Sequence, residues 1–145
     1  MESQVRAKSG LLHAAMGLSV WLYRRSGGAI GGVLGGAPIL LLTTTGRKTG
    51  RTRTRPVVYT EDDGRLVVVA ARGGDDHHPA WWLNLRATGR ASVQVGKDRF
   101  DVKAREAVGE ERDRLWEKLV AVYPPYAEYA DKTSRRMPVV VLERS

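Results

Sequence analysis

The stretch from Thr43 to Pro56, Thr-Thr-Thr-Gly-Arg-Lys-Thr-Gly-Arg-Thr-Arg-Thr-Arg-Pro, limits what this chain can fold into more than any other. The apolar run Ile39-Leu40-Leu41-Leu42 leads into it and reads as a buried strand. Gly46 and Gly50 bracket a tight turn, because glycine reaches positive φ without a Cβ clash. Beyond the turn Arg51, Arg53 and Arg55 alternate with Thr52 and Thr54, the period of a strand with its arginines on one face. The result is an antiparallel hairpin with Arg47 and Lys48 at its tip. Five cations within nine residues repel one another, so the hairpin calls for an anionic ligand. Backbone N–H groups at the turn, Thr hydroxyls and forked guanidiniums suit phosphate or carboxylate oxygens. A solvated basic hairpin is the plain alternative. A Walker A loop is excluded, since its Gly-Lys-Ser/Thr spacing is absent and a strand follows where a helix is required.

The 145 residues suffice for a single core. With no cysteine, disulfides, thiolate metal sites, iron–sulfur clusters and Cys nucleophiles are excluded. The net charge of +8 points to an anionic partner, a requirement met by nucleic acid, an anionic membrane or a polyanionic cofactor. The apolar stretch Ala14 to Tyr23 is not an export signal, because Arg24-Arg25 stands where a small-residue cleavage site belongs. Ser26 to Gly46 carries no charge over 21 residues, but paired glycines and Pro38 argue against a transmembrane helix there.

Residues 4 to 25 read as an amphipathic helix, with Leu12, Met16, Val20 and Tyr23 on one face and Leu11, Ala15, Leu18 and Leu22 beside it. Arg6, Lys8, Arg24 and Arg25 mark its ends. It either packs on the body of the fold or, with Trp21, lies in a membrane interface. Ser26 to Ala37 reads as a mobile linker. Strands are expected at Pro38–Thr45, Arg53–Thr60, Arg65–Ala71, Ala91–Val95, Arg99–Glu106 and Met137–Leu142. Helices are expected at Ala80–Thr88, after Pro79, and at Glu110–Tyr123, ended by Pro124-Pro125. The fold class is therefore mainly β with helices (α+β), a small six-stranded antiparallel barrel with an N-terminal helix and flanking helices. Residues 1–36 form the helix and Gly-rich linker, and 37–145 the barrel domain.

Three further clusters bear on function. Asp75-Asp76-His77-His78 has too few convergent ligands for a metal site, and a polar loop is the better reading. Trp81 and Asn84 lie one helical turn apart and can face one cavity, although tryptophans more often anchor cores. Tyr123, Tyr126 and Tyr129 are spaced three apart, as suits either the rim of an aromatic pocket or a structural cluster. No Ser/His/Asp or paired-carboxylate set is present that could carry catalysis, so an enzymatic activity would rest on a bound cofactor.

The motifs Leu41-Leu-Thr-Thr-Thr-Gly-Arg-Lys-Thr-Gly-x-x-Arg, Pro56, Val67-Val-Val-Ala-Ala, Gly73-Gly74, Pro79-x-Trp-x-Leu-Asn-Leu and Tyr123-Pro-x-Tyr-x-x-Tyr occur in one order. That ordered set resembles the deazaflavin (F420)-dependent nitroreductase family, split β-barrel oxidoreductases of actinobacteria. The similarity runs from about Trp21 to the Pro138-Val-Val-Val segment. The resemblance implies coenzyme F420, an 8-hydroxy-5-deazaflavin with a phospholactyl-polyglutamate tail. Arg47, Lys48, Thr49 and Arg53 would hold its phosphate and carboxylates. Pro56, Val57 and Val58 would line the ring with Val69, Ala70, Ala71 and Arg72. Ala80, Trp81 and Asn84 would complete the pocket, and Tyr126 would approach from the C-terminal segment.

Hydride transfer to a small hydrophobic acceptor (a quinone, nitroaromatic or activated alkene) is the activity so implied, with Tyr126 and Tyr129 as substrate-side donors. Some relatives have Tyr where this chain has Val58 and Ser where it has Ala71, which weighs against nitroimidazole reduction. The expected location is cytoplasmic, with peripheral contact to the inner face of the cell membrane through residues 4–25. Two rivals remain. One is a split-barrel F420 or flavin carrier without turnover. The other is a basic nucleic-acid-binding module, which the lack of aromatics among the hairpin cations disfavours; no nucleic-acid partner is expected.

Overall fold

The computed structural model describes residues 16–71 and 77–145. In chain order these form helix α1 (16–26), strands β1 (Val33–Leu34), β2 (Ala37–Thr45), β3 (Thr52–Asp62) and β4 (Arg65–Val69), helix α2 (Ala80–Thr88), strands β5 (Arg90–Val95) and β6 (Asp98–Glu106), helices α3 (Gly109–Val122) and α4 (Pro125–Lys132), and strand β7 (Val139–Arg144). The N-terminal part of the expected helix, residues 4–15, lies outside the described residues. All pairings are antiparallel, in the order β2-β3-β4-β7-β6-β5, and β2 pairs again with β5. The sheet is thus a closed six-stranded barrel, which removes the exposed strand edges of an open sheet.

Alternation along the strands sorts side chains into two apolar layers. Leu40, Leu42, Leu66, Val68, Ala70, Val140 and Leu142 fill the interior, where α2 adds Trp81, Trp82 and Leu85. Val67, Val69, Ala71, Val139 and Val141 face outward onto Leu115 and Leu119 of α3 and Tyr126 of α4. Because both faces of β4 and β7 are covered, their sequences read as unbroken Val runs rather than alternation.

A third contact holds α1. Val20 and Tyr23 pack on the outward-facing Leu41. The Tyr23 hydroxyl lies 2.9 Å from the Ile39 carbonyl and 3.2 Å from that of Gln94, and accepts a hydrogen bond from the Gly96 N–H at 2.9 Å. It thereby ties the helix to both sides of the β2–β5 closure.

The segment from Ser26 to Ala37 differs from the mobile linker expected. Its Gly28 N–H bonds the Tyr23 carbonyl, Gly32 accepts from Ile39, and β1 pairs with β2 through Val33–Pro38 and Leu34–Ala37. A Cβ on Gly28, which has φ +88°, would come within 3.1 Å of Gly96 Cα. These glycines serve close packing on the β5–β6 turn as well as chain reversal.

One ionic cluster pins α3 to the β3–β4 hairpin. Asp62, buried at 7% exposure, accepts from Arg114 at 2.6 and 3.1 Å, from Lys118 at 3.3 Å and from Arg65 at 3.3 Å. The hydrogen bond from Arg114, reinforced by Lys118, holds the Asp62 carboxyl well below the usual carboxylate range despite its burial. A depressed native pKa adds stability that is present above the unfolded-state pKa and is lost as pH falls below it. Asp62→Asn is expected to cost about 1–2 kcal/mol at neutral pH, since the cationic partners are partly solvated. Urea midpoints measured from neutral pH down to pH 3 should fall less steeply for the variant than for the wild type.

Candidate functional site

The expected tight turn is present, built differently at its two glycines. Gly50 takes positive φ (+71°), whereas Gly46 does not. Gly46 is required for space, because a Cβ there would lie 2.8 Å from Thr49 Oγ1 and 3.1 Å from the Arg51 carbonyl. The turn is closed by Gly46 N–H to Arg51 O (2.7 Å) and Gly50 N–H to Gly46 O (2.8 Å), and Thr49 Oγ1 accepts from the Arg51 N–H. Arg51 precedes β3, so only Arg53 and Arg55 share a strand face, while Thr54 points to the other side and bonds Thr43 and Arg24.

Gly46, Arg47, Lys48, Thr49, Arg53, Arg55, Ala80, Trp81 and Asn84 line a cavity of about 310 Å³ at this turn. Asn84, buried on α2, organises it. Its Oδ1 accepts from the Arg47 backbone N–H (3.1 Å) and guanidinium (3.3 Å), and its Nδ2 donates to Thr44 Oγ1 (3.3 Å). The amide therefore fixes the turn against the barrel rim.

Arg55, Ala80 and Trp81 also border a second cavity of about 1070 Å³. Its walls are mostly apolar: Pro56, Val57 and Val58 of β3, Val69 and Ala71 at the end of β4, and Leu83 of α2. Met16 and Ser19 of α1, Leu34 and Ile39 extend it toward the N-terminal helix, and Tyr123, Tyr126, Tyr129, His77 and His78 complete it. The two spaces form one groove, basic at the hairpin tip and apolar beyond.

Of the residues expected in the site, Arg47, Lys48, Thr49, Arg53 and Asn84 gather in the basic part. Pro56, Val57, Val58, Val69, Ala71, Tyr126 and Tyr129 gather in the apolar part, and Ala80 and Trp81 stand between. Ala70 is placed apart: strand alternation turns its side chain into the barrel core. Arg72, Asp75 and Asp76 lie outside the described residues. Met16, Ser19, Leu34, His77 and His78 border the groove without having been singled out for it, whereas Arg55 had been read among the hairpin cations and Tyr123 within the tyrosine triad. For Arg55 the signal was present in its two-residue spacing from Arg53. For α1 and β1 there was none, since nothing local brings residue 16 to the same cavity as residue 58.

The tyrosines form a cluster, with ring centroids 4.9 Å apart for Tyr123–Tyr126, 6.1 Å for Tyr126–Tyr129 and 6.3 Å for Tyr123–Tyr129. Tyr123 ends α3, so the three do not belong to one helix. Tyr126 is 4% exposed, and burial pushes its phenol far above the ordinary value. The Tyr129 phenol is pushed up to about 12, first by its hydrogen bond with Tyr123 and then by burial. Both remain protonated donors throughout the neutral range.

Residues 15–144 match the family model described as F420H(2)-dependent quinone reductase. The chain is 40% identical over 127 residues to an F420H(2)-dependent quinone reductase of Mycobacterium tuberculosis, covering 85% of each protein. It is similar to the solved structure of an F420-H2 dependent reductase, FDR-A, with 47% identity, a TM-score of 0.68, and coverage of 73% of this chain and 94% of the other. A second solved structure, described as a domain-swapped dimer, shares 37% identity at a TM-score of 0.70 over 98% of each chain.

The Asn84 contacts predict a local effect separable from any ligand. In Asn84→Ala the Arg47 N–H loses its protein acceptor, so native-state hydrogen exchange at that amide should accelerate at least about tenfold, the factor for about 1.4 kcal/mol of lost protection. The amides of β4 and β7 should keep their protection.

Proposed function

This chain belongs to the F420H(2)-dependent quinone reductase family, and from that premise we propose that it passes a hydride from reduced coenzyme F420 to a quinone-like acceptor within the groove just described. The protein is an F420-dependent reductase, as its relatives are. The observation that carries the site assignment is the continuity of a basic turn with a large apolar cavity through Arg55, Ala80 and Trp81. A ligand with a flat ring at one end and a phosphate and glutamyl carboxylates at the other requires such a groove.

Arg47, Lys48, Thr49 and Arg53 receive the phosphate and carboxylates, with Arg55 beside them. Asn84 acts through Arg47, keeping the turn in its receiving conformation. Pro56, Val57, Val58, Val69 and Ala71 offer the ring an apolar wall, while Ala80 and Trp81 mark the passage between ring and tail. Ala70 contributes by packing the strand that carries its neighbours. A bound deazaflavin would supply the hydride. The chain supplies position, exclusion of water and neutral hydrogen-bond donors. Tyr126 and Tyr129 retain their phenolic protons and donate to the acceptor oxygen as negative charge develops on it. Val58 and Ala71 leave an apolar wall on the same side, which favours a hydrophobic quinone over a polar nitroimidazole.

Peripheral membrane contact extends this reading to the N-terminus. Leu18 (58%), Trp21 (54%), Ile30 (52%) and Val33 (66%) are exposed in the same stretch as Arg24 and Arg25, a composition suited to an anionic interface. No helix among the described residues is long and apolar enough to cross a membrane. Because a relative is described as a domain-swapped dimer, a second copy is the competing partner for this patch. Co-sedimentation with anionic phospholipid vesicles should fall several-fold in a Leu18→Ser, Trp21→Ser double variant. No vesicle binding, together with a dimer by light scattering that the same variant dissociates, overturns membrane contact.

For the cofactor, titration with oxidised F420 should give micromolar or tighter binding that FMN and duplex DNA do not displace. Arg47→Ala and Lys48→Ala should each weaken it about tenfold, the equivalent of one charge-assisted contact of about 1.4 kcal/mol. Binding unaffected by both substitutions would remove the turn from the site.

A further inference from the structure

Arg135 lies between α4 and β7, away from the hairpin cations, yet its side chain reaches the apolar cavity's border. Nη1 donates to the Ala70 carbonyl at 3.0 Å and Nη2 to the Ala71 carbonyl at 2.9 Å, at the point where β4 has ended. Nη1 also lies 2.9 Å from His78 Nδ1. A guanidinium can only donate, and it keeps its protons at every accessible pH. His78 Nδ1 must therefore be the acceptor, which places the single proton of a neutral ring on Nε2. His78 lines the cavity with Tyr123, Tyr126 and Tyr129, and among the described residues no protein group bonds its Nε2. The backbone that carries the ring is restrained on its C-terminal side: Pro79 follows it, favouring extended conformations of His78, and Pro79 is the N-cap of α2.

We infer that Arg135 is a positioning residue that fixes His78 as the Nε2–H tautomer, so that a neutral imidazole donates a hydrogen bond to the acceptor's oxygen from the cavity wall. The inference rests on the quinone-reductase reading for its substrate, though not for the tautomer. A neutral donor suits this reaction: hydride adds to the acceptor, negative charge gathers on oxygen, and a fixed N–H stabilises it without a proton having to leave the ring. The surroundings favour the neutral ring. Burial is the first cause that lowers the His78 pKa, followed by Arg135 and by Arg86 of α2, while Glu106 at the end of β6 opposes them. Tyr126 and Tyr129 on α4, with their raised pKa values, add no charge at neutral pH.

The tautomer is read directly in the cofactor-free protein by long-range proton–nitrogen correlation spectra of the imidazoles. His78 is expected as Nε2–H from pH 8 down to below its ordinary titration range, and menadione should shift its Nε2 resonance. In Arg135→Ala the tautomers should mix and the ring should protonate at higher pH, so the acidic limb of the kcat/KM profile moves upward. Arg135→Lys retains a group that only donates and should restore the tautomer, which separates this role from clamping the strand end and guards against misfolding of the Ala variant. In turnover with menadione, His78→Ala should lose about tenfold in kcat, whereas His78→Gln, with an N–H near the Nε2 position, should retain most of it. An Nδ1–H tautomer in the wild type, or His78→Ala with unchanged kcat and pH profile, overturns the inference. Wild-type protein that binds no F420 while showing the Nε2–H tautomer and the menadione shift overturns the hydride-transfer reading and leaves the donor assignment standing.

Discussion

Closure of the barrel through the second pairing of β2 is the constraint on which the remaining structure depends. The pairs Leu41–Gln94, Leu42–Val93 and Thr43–Ser92 join the first barrel strand to β5, so β2 is hydrogen-bonded along both edges. With no free edge, each strand has one side chain set committed to the interior and the other to whatever covers it outside. Tyr23 reinforces the closure from α1, and its hydroxyl is buried enough that its pKa is raised even though the Gly96 N–H bonds it. The closure also fixes where the hairpin tip projects, at the rim, within reach of Asn84 on α2.

Covering both faces of the central strands also shapes the groove. The outward side chains Val58, Val69 and Ala71 belong to the layer beneath α3 and α4 and also line the groove where those helices leave it open. The groove is thus a gap in the outer layer, bordered by α2, α4 and the N-terminal helix. Its floor is rigid because it is barrel wall. Its polar groups come from the surrounding segments, where a side chain can reach the gap without breaking a strand pairing.

Polarity in the groove is divided by position. Cations stand at the solvated hairpin, where their mutual repulsion is screened and an anionic tail can neutralise them. Farther in, the groups that can bond a ligand include the phenols of Tyr126 and Tyr129 and the imidazole of His78, for all of which burial favours the neutral form. Buried charge would be costly there without a partner. Neutral donors carry little of that cost and still stabilise negative charge that appears only during reaction.

The barrel strands were legible in the sequence because their signals are local: the Thr43–Pro56 hairpin and the Val runs of β4 and β7. So were α2, which follows Pro79, and the cations of the basic half of the groove, which lie within ten positions of one another. The ordered motifs, compared with a known family, added the cofactor. What the sequence could not supply was non-local. The glycine pairs after α1 looked like a free linker because their packing surface, the Gly96 turn, is about seventy residues away. Ala70 looked equivalent to Val69 and Ala71 until the register of β4 turned it inward. Arg135 and His78 meet across 57 positions. Local periodicity determines which face a residue occupies on its own element; only barrel closure and helix packing decide which distant residue stands opposite, and the apolar half of the groove is made entirely of such encounters.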